Sequence, residues 1–167
     1  MSEAIEILAL CCTGLYAGYL IAFQSGVMPA LGEVDDASFT LMMRAMNRKV
    51  PGPLFLALFL GSLAFPVASC FLAPDGRGGG ATVLLSAAAA CALVGHTITA
   101  VGNIPLNNAL ESSRGQGDER AARTAFESRW RALHTVRTLF AAGAFVLTAL
   151  ERVSLFGWSV DRMCLSD

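Results

Sequence analysis

Charged residues are gathered in a few short stretches of this chain, and long apolar gaps separate them. No Asp, Glu, Lys or Arg occurs within residues 7–32, 50–74 or 78–110. A helix that crosses the hydrocarbon core of a bilayer needs about 20 mostly apolar residues, and each of these gaps is long enough. The pattern therefore predicts three membrane-spanning helices.

A fourth span is predicted near the C-terminal end, where the pattern is less uniform. Residues 138–150 carry no charge but are too few to cross a bilayer alone. The span reaches the needed length only if His134 and Arg137 lie inside it or at its edge. We therefore predict an all-α integral membrane four-helix bundle. It forms one domain over residues 1–167, with spans at about residues 5–28, 53–73, 81–102 and 132–150.

The first connection, residues 33–50, has its own periodicity. Apolar side chains recur there at i, i+3, i+4 and i+7, the spacing of one helix face. The apolar set is Phe39, Met42, Met43 and Met46, and the charges on another side are Arg44 and Arg48. This pattern predicts a short amphipathic helix that lies on the membrane or caps the bundle.

Helix ends are also marked in the sequence. Proline lacks the amide hydrogen that continues a helix, so we expect Pro29, with Gly32, to end the first helix and Pro105 to end or bend the third. Asp118 is a suitable cap for an extended fourth helix that starts outside the bilayer and reaches about Leu150. The residues from 152 onward are expected to form a short tail.

The composition agrees with a membrane protein and excludes other classes. The chain is 54% hydrophobic and 15% charged, whereas a soluble domain carries about 25% charged residues. The net charge is −1 and no basic run occurs, which argues against a nucleic-acid partner. The five cysteines form no CxxC or CxxCH motif. Their spacing argues against a disulfide-forming quinone reductase and against covalent haem attachment, so we interpret them as small apolar side chains.

Lysine and arginine are concentrated in two connections. The first and third connections hold eight of them, against three in the N-terminus, the second connection and the C-terminal tail. By the positive-inside rule we expect loops 1 and 3 in the cytosol and both termini on the far side of an intracellular membrane such as the endoplasmic reticulum. The N-terminus lacks the basic region of a cleaved signal peptide, so we expect the first span to be retained.

Three polar residues share one face of the last predicted helix. Trp130, His134 and Arg137 are spaced i, i+4 and i+7. Histidine can act as a base near neutral pH, arginine can hold an oxyanion, and tryptophan offers a flat surface to an aromatic ligand. Interfacial anchoring by Trp and Arg is the structural alternative. Because an ionisable residue inside hydrocarbon is a functional candidate, Arg137 is the strongest of the three.

A second polar group lies at the end of the third predicted span. His96 and Asn103 are seven residues apart and so are expected on one helix face, with Asn107 following Pro105. These residues either form a polar pocket wall or serve as a helix-capping turn and an interhelical hydrogen bond. Asn47 and Arg48 precede Pro51 in the first connection, where Arg48 either folds over the mouth of the bundle or is a solvated loop charge. Two histidines are too few for a convincing metal site.

Several of these elements together resemble the DUF1772 family of small membrane proteins, which includes fungal anthrone oxygenases. The elements are the pair Asn47-Arg48 with Pro51, the turn GNIPLN from Gly102 to Asn107, and the helix face Trp130, His134 and Arg137. The resemblance covers nearly the whole chain in length, span order and motif order, and the GNIPLN turn is its most specific part. Histidine at position 134 is closer to the fungal oxygenase branch, since many bacterial members have asparagine there.

The resemblance implies oxidation of an anthrone, such as emodin anthrone, to the anthraquinone in aromatic polyketide biosynthesis. Dioxygen is the co-substrate, and members of this type need no flavin, haem or metal cofactor. The CH₂ opposite the anthrone carbonyl is acidic because its anion is an aromatic phenolate. That electron-rich anion can pass an electron to O₂ directly. The protein then has to supply a base, an oxyanion partner and a dry aromatic slot.

The resemblance also implies roles for the candidate residues. We expect His134 to be the base, with His96 as the alternative, and Arg137 to stabilise the enolate or the peroxide. The hydrophobic aromatic substrate, which would enter from the lipid bilayer, is expected to contact Trp130, Asn103, Asn107, Arg48 and Asn47.

Two rival hypotheses remain open at this stage. His96 and His134 could instead be ligands of a metal or haem, or the polar residues could only hold helices together in a non-catalytic scaffold. A cavity lined by His134, Arg137 and Asn103 distinguishes a catalyst from a scaffold, in which these groups pair with one another or face headgroups. The oligomeric state, including a homo-oligomer, is left open.

Overall fold

The fold was analysed in a computed structural model that describes the backbone of residues 2–72 and 78–164 and the side chains of residues 3–72 and 78–154. The described part is helical, without strands. Its elements are α1 (Ser2–Ala22), π1 (Phe23–Val27), α2 (Met28–Gly32), α3 (Asp36–Lys49), α4 (Pro53–Phe71), α5 (Gly79–Ile98), π2 (Thr99–Asn103), α6 (Ile104–Ser112) and α7 (Glu119–Cys164).

Four continuous helical stretches of the described chain are long and apolar enough to cross a membrane, which confirms the predicted fold class. They are Glu3–Gly32, Pro53–Phe71, Gly79–Ser112 and Glu119–Ser154. α1 packs against α4 and α7, and α5 packs against the same two helices. Each helix thus has two neighbours around the bundle. Residues 73–77, between α4 and α5, lie outside the described residues, and α5 begins at Gly79.

Pro29 does not end the first helix, which continues to Gly32, the other residue expected to end it. Pro105, expected to end or bend the third helix, does not end it. In both places a five-residue π-helical turn precedes the proline, and the helix then continues. The amide of Met28 donates to the Phe23 carbonyl, and that of Ile104 donates to the Thr99 carbonyl. These bonds span five residues, so the wider turn adjusts the helix before the proline, whose missing amide is tolerated in the first turn of the next segment.

α3 caps one end of the bundle. Its first turn is fixed by Asp35, whose carboxylate accepts hydrogen bonds from the Ser38 amide at 3.0 Å and the Ser38 hydroxyl at 2.7 Å. The bond from the Ser38 amide is the main reason why the pKa of Asp35 lies below its ordinary value. Phe39 and Met43 are completely buried, and they belong to a core cluster that also contains Met28, Leu31, Leu110, Phe126 and Trp130.

Two details of the predicted amphipathic pattern in α3 were wrong. Met42 is 45% exposed, whereas Arg44 is buried at 4% exposure. Arg44 can be buried because α6 and α7 supply its partners. It donates to the Leu110 carbonyl at 3.0 Å and forms an ion pair with Glu119 at 2.9 Å.

The fourth helix starts as predicted but extends further. The Asp118 carboxylate accepts a hydrogen bond from the Ala121 amide at 2.8 Å and so caps α7. The helix then continues to Cys164, where a tail was expected from residue 152. α7 is therefore the longest helix. Its first half packs under α3, and its second half lies within the bundle.

Candidate active site

A cavity lies between the helices at the end of the bundle that carries the first and third connections. It has a volume of about 150 Å³, which is smaller than the range of pockets for drug-sized ligands, about 300–1,000 Å³. Six of the eight predicted site residues line it: Asn47, Asn103, Asn107, Trp130, His134 and Arg137.

Arg137 and His134 form a hydrogen-bonded pair in this cavity. The guanidinium of Arg137 donates to Nδ1 of His134 from Nε at 3.1 Å and from Nη2 at 2.8 Å. Arginine can only donate, so Nδ1 carries the lone pair and Nε2 carries the hydrogen. Nε2 donates in turn to the Leu20 carbonyl at 3.2 Å. These contacts fix the tautomer of the imidazole.

Both members of the pair are buried. His134 is 1% exposed and Arg137 is 8% exposed. The third nitrogen of the guanidinium, Nη1, donates to the Thr99 hydroxyl at 3.2 Å. No carboxylate of a described residue forms an ion pair with Arg137. Its partners are the neutral His134 imidazole and Thr99 hydroxyl, and a buried cation without a countercharge is costly.

Trp130 forms the floor beside the pair. Its ring stacks on His134 with centroids 4.7 Å apart and planes 11° apart. The indole Nε1 donates to the amide oxygen of Asn107 at 2.8 Å. The Arg137 guanidinium lies over the indole at 5.5 Å, and Phe23 from π1 meets His134 edge-on at 5.4 Å. The aromatic rings therefore pack against both the guanidinium of Arg137 and the imidazole of His134.

Two side-chain amides of the cavity have buried atoms without a hydrogen-bond partner. Asn103 donates from Nδ2 to the Trp130 carbonyl at 3.3 Å, which fixes its orientation and leaves its Oδ1 unpaired. Nδ2 of Asn47, on α3, is also unpaired. Because buried polar atoms nearly always have partners, this acceptor and this donor are available to a ligand or to ordered water in the cavity.

His96 lies outside this cavity. Its Nδ1 is 2.7 Å from the Ala92 carbonyl oxygen and its Nε2 is 2.6 Å from that of Phe59. The expected shared face with Asn103 does not form, because π2 lies between the two residues and its wider turn changes the helical phase. Both nitrogens of His96 are occupied by carbonyls, and His96 and His134 do not share a cavity.

Arg48 also lies outside the cavity. Its side chain is 49% exposed and pairs with Glu111 at 3.1 Å. It therefore connects α3 to α6 on the outer surface. Its neighbour Asn47 points inward to the cavity, as expected for adjacent residues on a helix, which are about 100° apart.

Several groups of the site carried no clear sequence signal. The Leu20 carbonyl is a backbone atom, and nothing in the sequence indicates that it accepts from His134. Thr99 and Phe23 lie in the two π turns, whose phase change was not predicted. Among the described side chains no group of three or more His, Cys, Asp or Glu is arranged to hold a metal ion.

Comparison with known proteins gives one finding. The family model described as "Anthrone oxygenase" matches residues 39–147, which is 109 of the 167 residues. The matched region contains every cavity-lining residue named above except those on α1 and π1. No curated protein and no solved structure matches the chain.

Proposed function

The chain belongs to the anthrone oxygenase family, and on this premise we propose that it oxidises the CH₂ of an anthrone to a carbonyl with O₂. The net reaction is CH₂ + O₂ → C=O + H₂O. We propose further that the protein's own side chains suffice, without a resident flavin, haem or metal. The substrate is a flat, hydrophobic, hydroxylated aromatic ketone of polyketide origin.

The observation that carries this proposal is the buried Arg137–His134 pair in an aromatic cavity with two unpaired amide atoms. Arg137 is the oxyanion partner and His134 is the base. The lone pair of Nδ1 accepts hydrogen bonds from Arg137, so neither group can act on a substrate while they are paired. An incoming substrate has to separate them.

Substrate binding separates the two groups because the substrate carbonyl competes with His134 for the guanidinium. When the substrate carbonyl approaches the guanidinium, one or both N–H groups turn from His134 to that oxygen. Nδ1 is then free to accept the proton of the CH₂, while Arg137 stabilises the enolate oxygen that forms. The imidazolium keeps its Nε2–H bond to the Leu20 carbonyl. Binding and base activation are thus the same event.

Oxidation follows from the electron-rich anion. The anion gives one electron to O₂, and the carbon radical and superoxide combine to form the C–O bond of a peroxide. The peroxide anion takes up a proton. Loss of the remaining C–H proton then breaks the O–O bond, and hydroxide leaves as water. The exclusion of water by the surrounding rings strengthens the electrostatic stabilisation of each anion.

The unpaired amides orient the substrate. Oδ1 of Asn103 accepts from a phenolic hydroxyl and Nδ2 of Asn47 donates to an oxygen at another edge of the ring system. Trp130 and Phe23 pack against its faces. Leu56 and Ile104, which line the cavity and are 43% and 46% exposed, lie on α4 and α6. They form an apolar entrance for a substrate that is dissolved in the bilayer.

The proposal is tested with protein purified in lipid nanodiscs and emodin anthrone as the probe. Quinone formation above the spontaneous rate, unchanged by a chelator and accompanied by no haem or flavin absorbance, is expected. His134→Gln is expected to abolish this activity, and the matched surface variant Thr135→Ala, one residue along α7, is expected to keep it. Activity that disappears with the chelator would favour the metal hypothesis.

A non-catalytic scaffold is the second candidate, and one observation favours it: His134 and Arg137 hydrogen-bond to each other. A scaffold leaves the unpaired Asn47 and Asn103 atoms unexplained, however. If neither wild type nor any variant accelerates quinone formation, the scaffold is the better explanation.

A further inference from the structure

A second pocket lies on the outer side of the candidate active site, where the end of α3 meets the start of α4. It has a volume of about 360 Å³ and is open to the surroundings. Its walls include Tyr19 from α1, Lys49 from α3, and Leu54 and Leu58 from α4. We call this space the outer pocket.

The outer pocket shares a wall with the active-site cavity. Tyr19, Val50 and Phe55 line both spaces. The rings of Tyr19 and Phe55 meet edge-on with centroids 5.6 Å apart, and Phe55 stacks on Phe59, which also lines the cavity, at 5.9 Å. The partition thus contains two aromatic side chains, and their rotation can join the two spaces.

The sizes of the two spaces indicate that a substrate uses both. The active-site cavity, at about 150 Å³, is smaller than pockets for drug-sized ligands, and an aromatic ketone with three fused rings is a ligand of that size. The outer pocket is more than twice as large as the cavity. A terminal ring can therefore occupy the outer pocket while the reacting CH₂ lies beside His134.

Lys49 is the one charged residue among the described residues that line the outer pocket. It is the last residue of α3 and is exposed. No carboxylate of a described residue pairs with its ammonium group, whereas the neighbouring Arg48 pairs with Glu111 at 3.1 Å. The outer pocket therefore combines apolar and aromatic walls with one cation that is available to a ligand.

This combination fits a flat ring that carries a negative charge at its edge. We propose that the outer pocket is a subsite for the terminal ring of the substrate and that Lys49 binds an anionic oxygen substituent on that ring. A lysine ammonium is a compact charge with three donors, and Tyr19 and Phe55 offer ring surfaces for packing.

The inference rests on the proposed function for the three-ring class of substrate, and it adds the acidic substituent. Lys49 does not line the active-site cavity. It is therefore a specificity-determining residue that selects the substrate, and it takes no part in proton or electron transfer.

Equilibrium binding to the full-length protein in nanodiscs tests this subsite. The probes are anthraquinone-2-carboxylate and its neutral counterpart 2-methylanthraquinone, which are already quinones and therefore need no turnover. Binding to empty nanodiscs is subtracted. The variants are Lys49→Met, which removes the ammonium but keeps an unbranched side chain, and Lys49→Arg, which keeps the charge. Arg48→Met is the matched control, because it removes the same charge one residue away, outside both spaces.

We expect the Kd for the carboxylate to rise about fivefold in Lys49→Met, the scale of a partly exposed ion pair. Lys49→Arg is expected to restore most of this affinity, and Arg48→Met is expected to bind the carboxylate like wild type. The Kd for 2-methylanthraquinone is expected to be the same in all four proteins. An unchanged Kd for the carboxylate in Lys49→Met, or an equal rise in Arg48→Met, would overturn the subsite.

The binding measurement separates this inference from the proposed function. A wild type that binds the carboxylate through Lys49 but does not accelerate quinone formation would contradict the proposed function and support the subsite. A wild type that oxidises emodin anthrone, with the same Kd for the carboxylate in Lys49→Met, would support the proposed function and overturn the subsite.

Discussion

The guanidinium of Arg137 and the imidazole of His134 share one hydrogen-bonding atom. Two N–H groups of Arg137 converge on Nδ1 of His134, at 3.1 and 2.8 Å. The residues are one helical turn apart on α7, so the helix itself sets this geometry. A cation thereby occupies the lone pair of the proposed base. In the proposed mechanism the substrate carbonyl draws the guanidinium away from Nδ1, which would make base activity conditional on substrate.

The first prediction concerns the buried cation. Arg137→Met removes the oxyanion partner, so kcat/KM for the anthrone is expected to fall by about 10²–10³-fold. The same change removes a buried charge that has no carboxylate partner among the described residues, so the thermal unfolding midpoint is expected to rise. Assay and thermal unfolding of one preparation check both effects. A loss of activity together with a lower midpoint would indicate a structural role instead.

The second prediction separates the two histidines. His134→Gln is expected to lower kcat by about 10²–10⁴-fold, the range for loss of a general base. His96→Gln is expected to keep the KM for anthrone, because His96 does not line the cavity and its nitrogens contact the Ala92 and Phe59 carbonyls. Steady-state kinetics of the two variants check this. Equal loss of kcat in both, with intact folding, would favour His96 as the base.

The third prediction uses the neighbours Asn47 and Arg48. Asn47→Ala removes the unpaired donor of the cavity, and the KM for a hydroxylated anthrone is expected to rise about tenfold, as for one hydrogen bond of about 1.4 kcal/mol. Arg48→Ala breaks only the surface pair with Glu111, so the KM is expected to stay the same. A larger rise in KM for Arg48→Ala than for Asn47→Ala would contradict this prediction and would show that Arg48 contacts the substrate.

The fourth prediction concerns the attachment of α3, which forms one wall of the cavity. Arg44→Met removes the bonds to Glu119 and the Leu110 carbonyl, and the free energy of unfolding is expected to fall by roughly 2 kcal/mol. Glu119 is partly exposed, which keeps this figure below that of a fully buried pair. Chemical unfolding of Arg44→Met beside Arg48→Ala measures the difference, and equal stability of the two variants would refute it.

The fifth prediction concerns sidedness. A single cysteine at position 116, in the loop between α6 and α7, is expected to be labelled from the cytosolic side, and one at position 3 from the opposite side. A cysteine-free background and a membrane-impermeant thiol reagent on intact and opened vesicles provide the test. Labelling of position 116 from the luminal side would invert the topology.

Most of the fold could be predicted from the sequence. Residues 7–32, 50–74 and 78–110 contain no charged side chain, as a helix needs in order to cross a bilayer. The bounds of α4 lie close to those of the second segment. The cap at Asp118 was likewise evident from residue type. The continuation of helices through Pro29 and Pro105 was not, because a π turn depends on packing with neighbouring helices and has no local signature.

The candidate site was predicted in part. The i, i+4, i+7 spacing placed Trp130, His134 and Arg137 on one face, since α7 is regular there. The same reasoning failed for His96 and Asn103, because π2 changes the phase between them. The mutual pairing of His134 and Arg137 and the Leu20 carbonyl could not be predicted, because they depend on side-chain rotamers and on an unrelated helix.

The most direct test of the proposed function is a single-turnover reaction of the purified protein with emodin anthrone under ¹⁸O₂. We expect one ¹⁸O atom in the new quinone carbonyl and one in water, at a rate above the spontaneous reaction that falls to background in His134→Gln. Unlabelled quinone from wild type, or equal rates for wild type and His134→Gln, would contradict an oxygenase built on the Arg137–His134 pair.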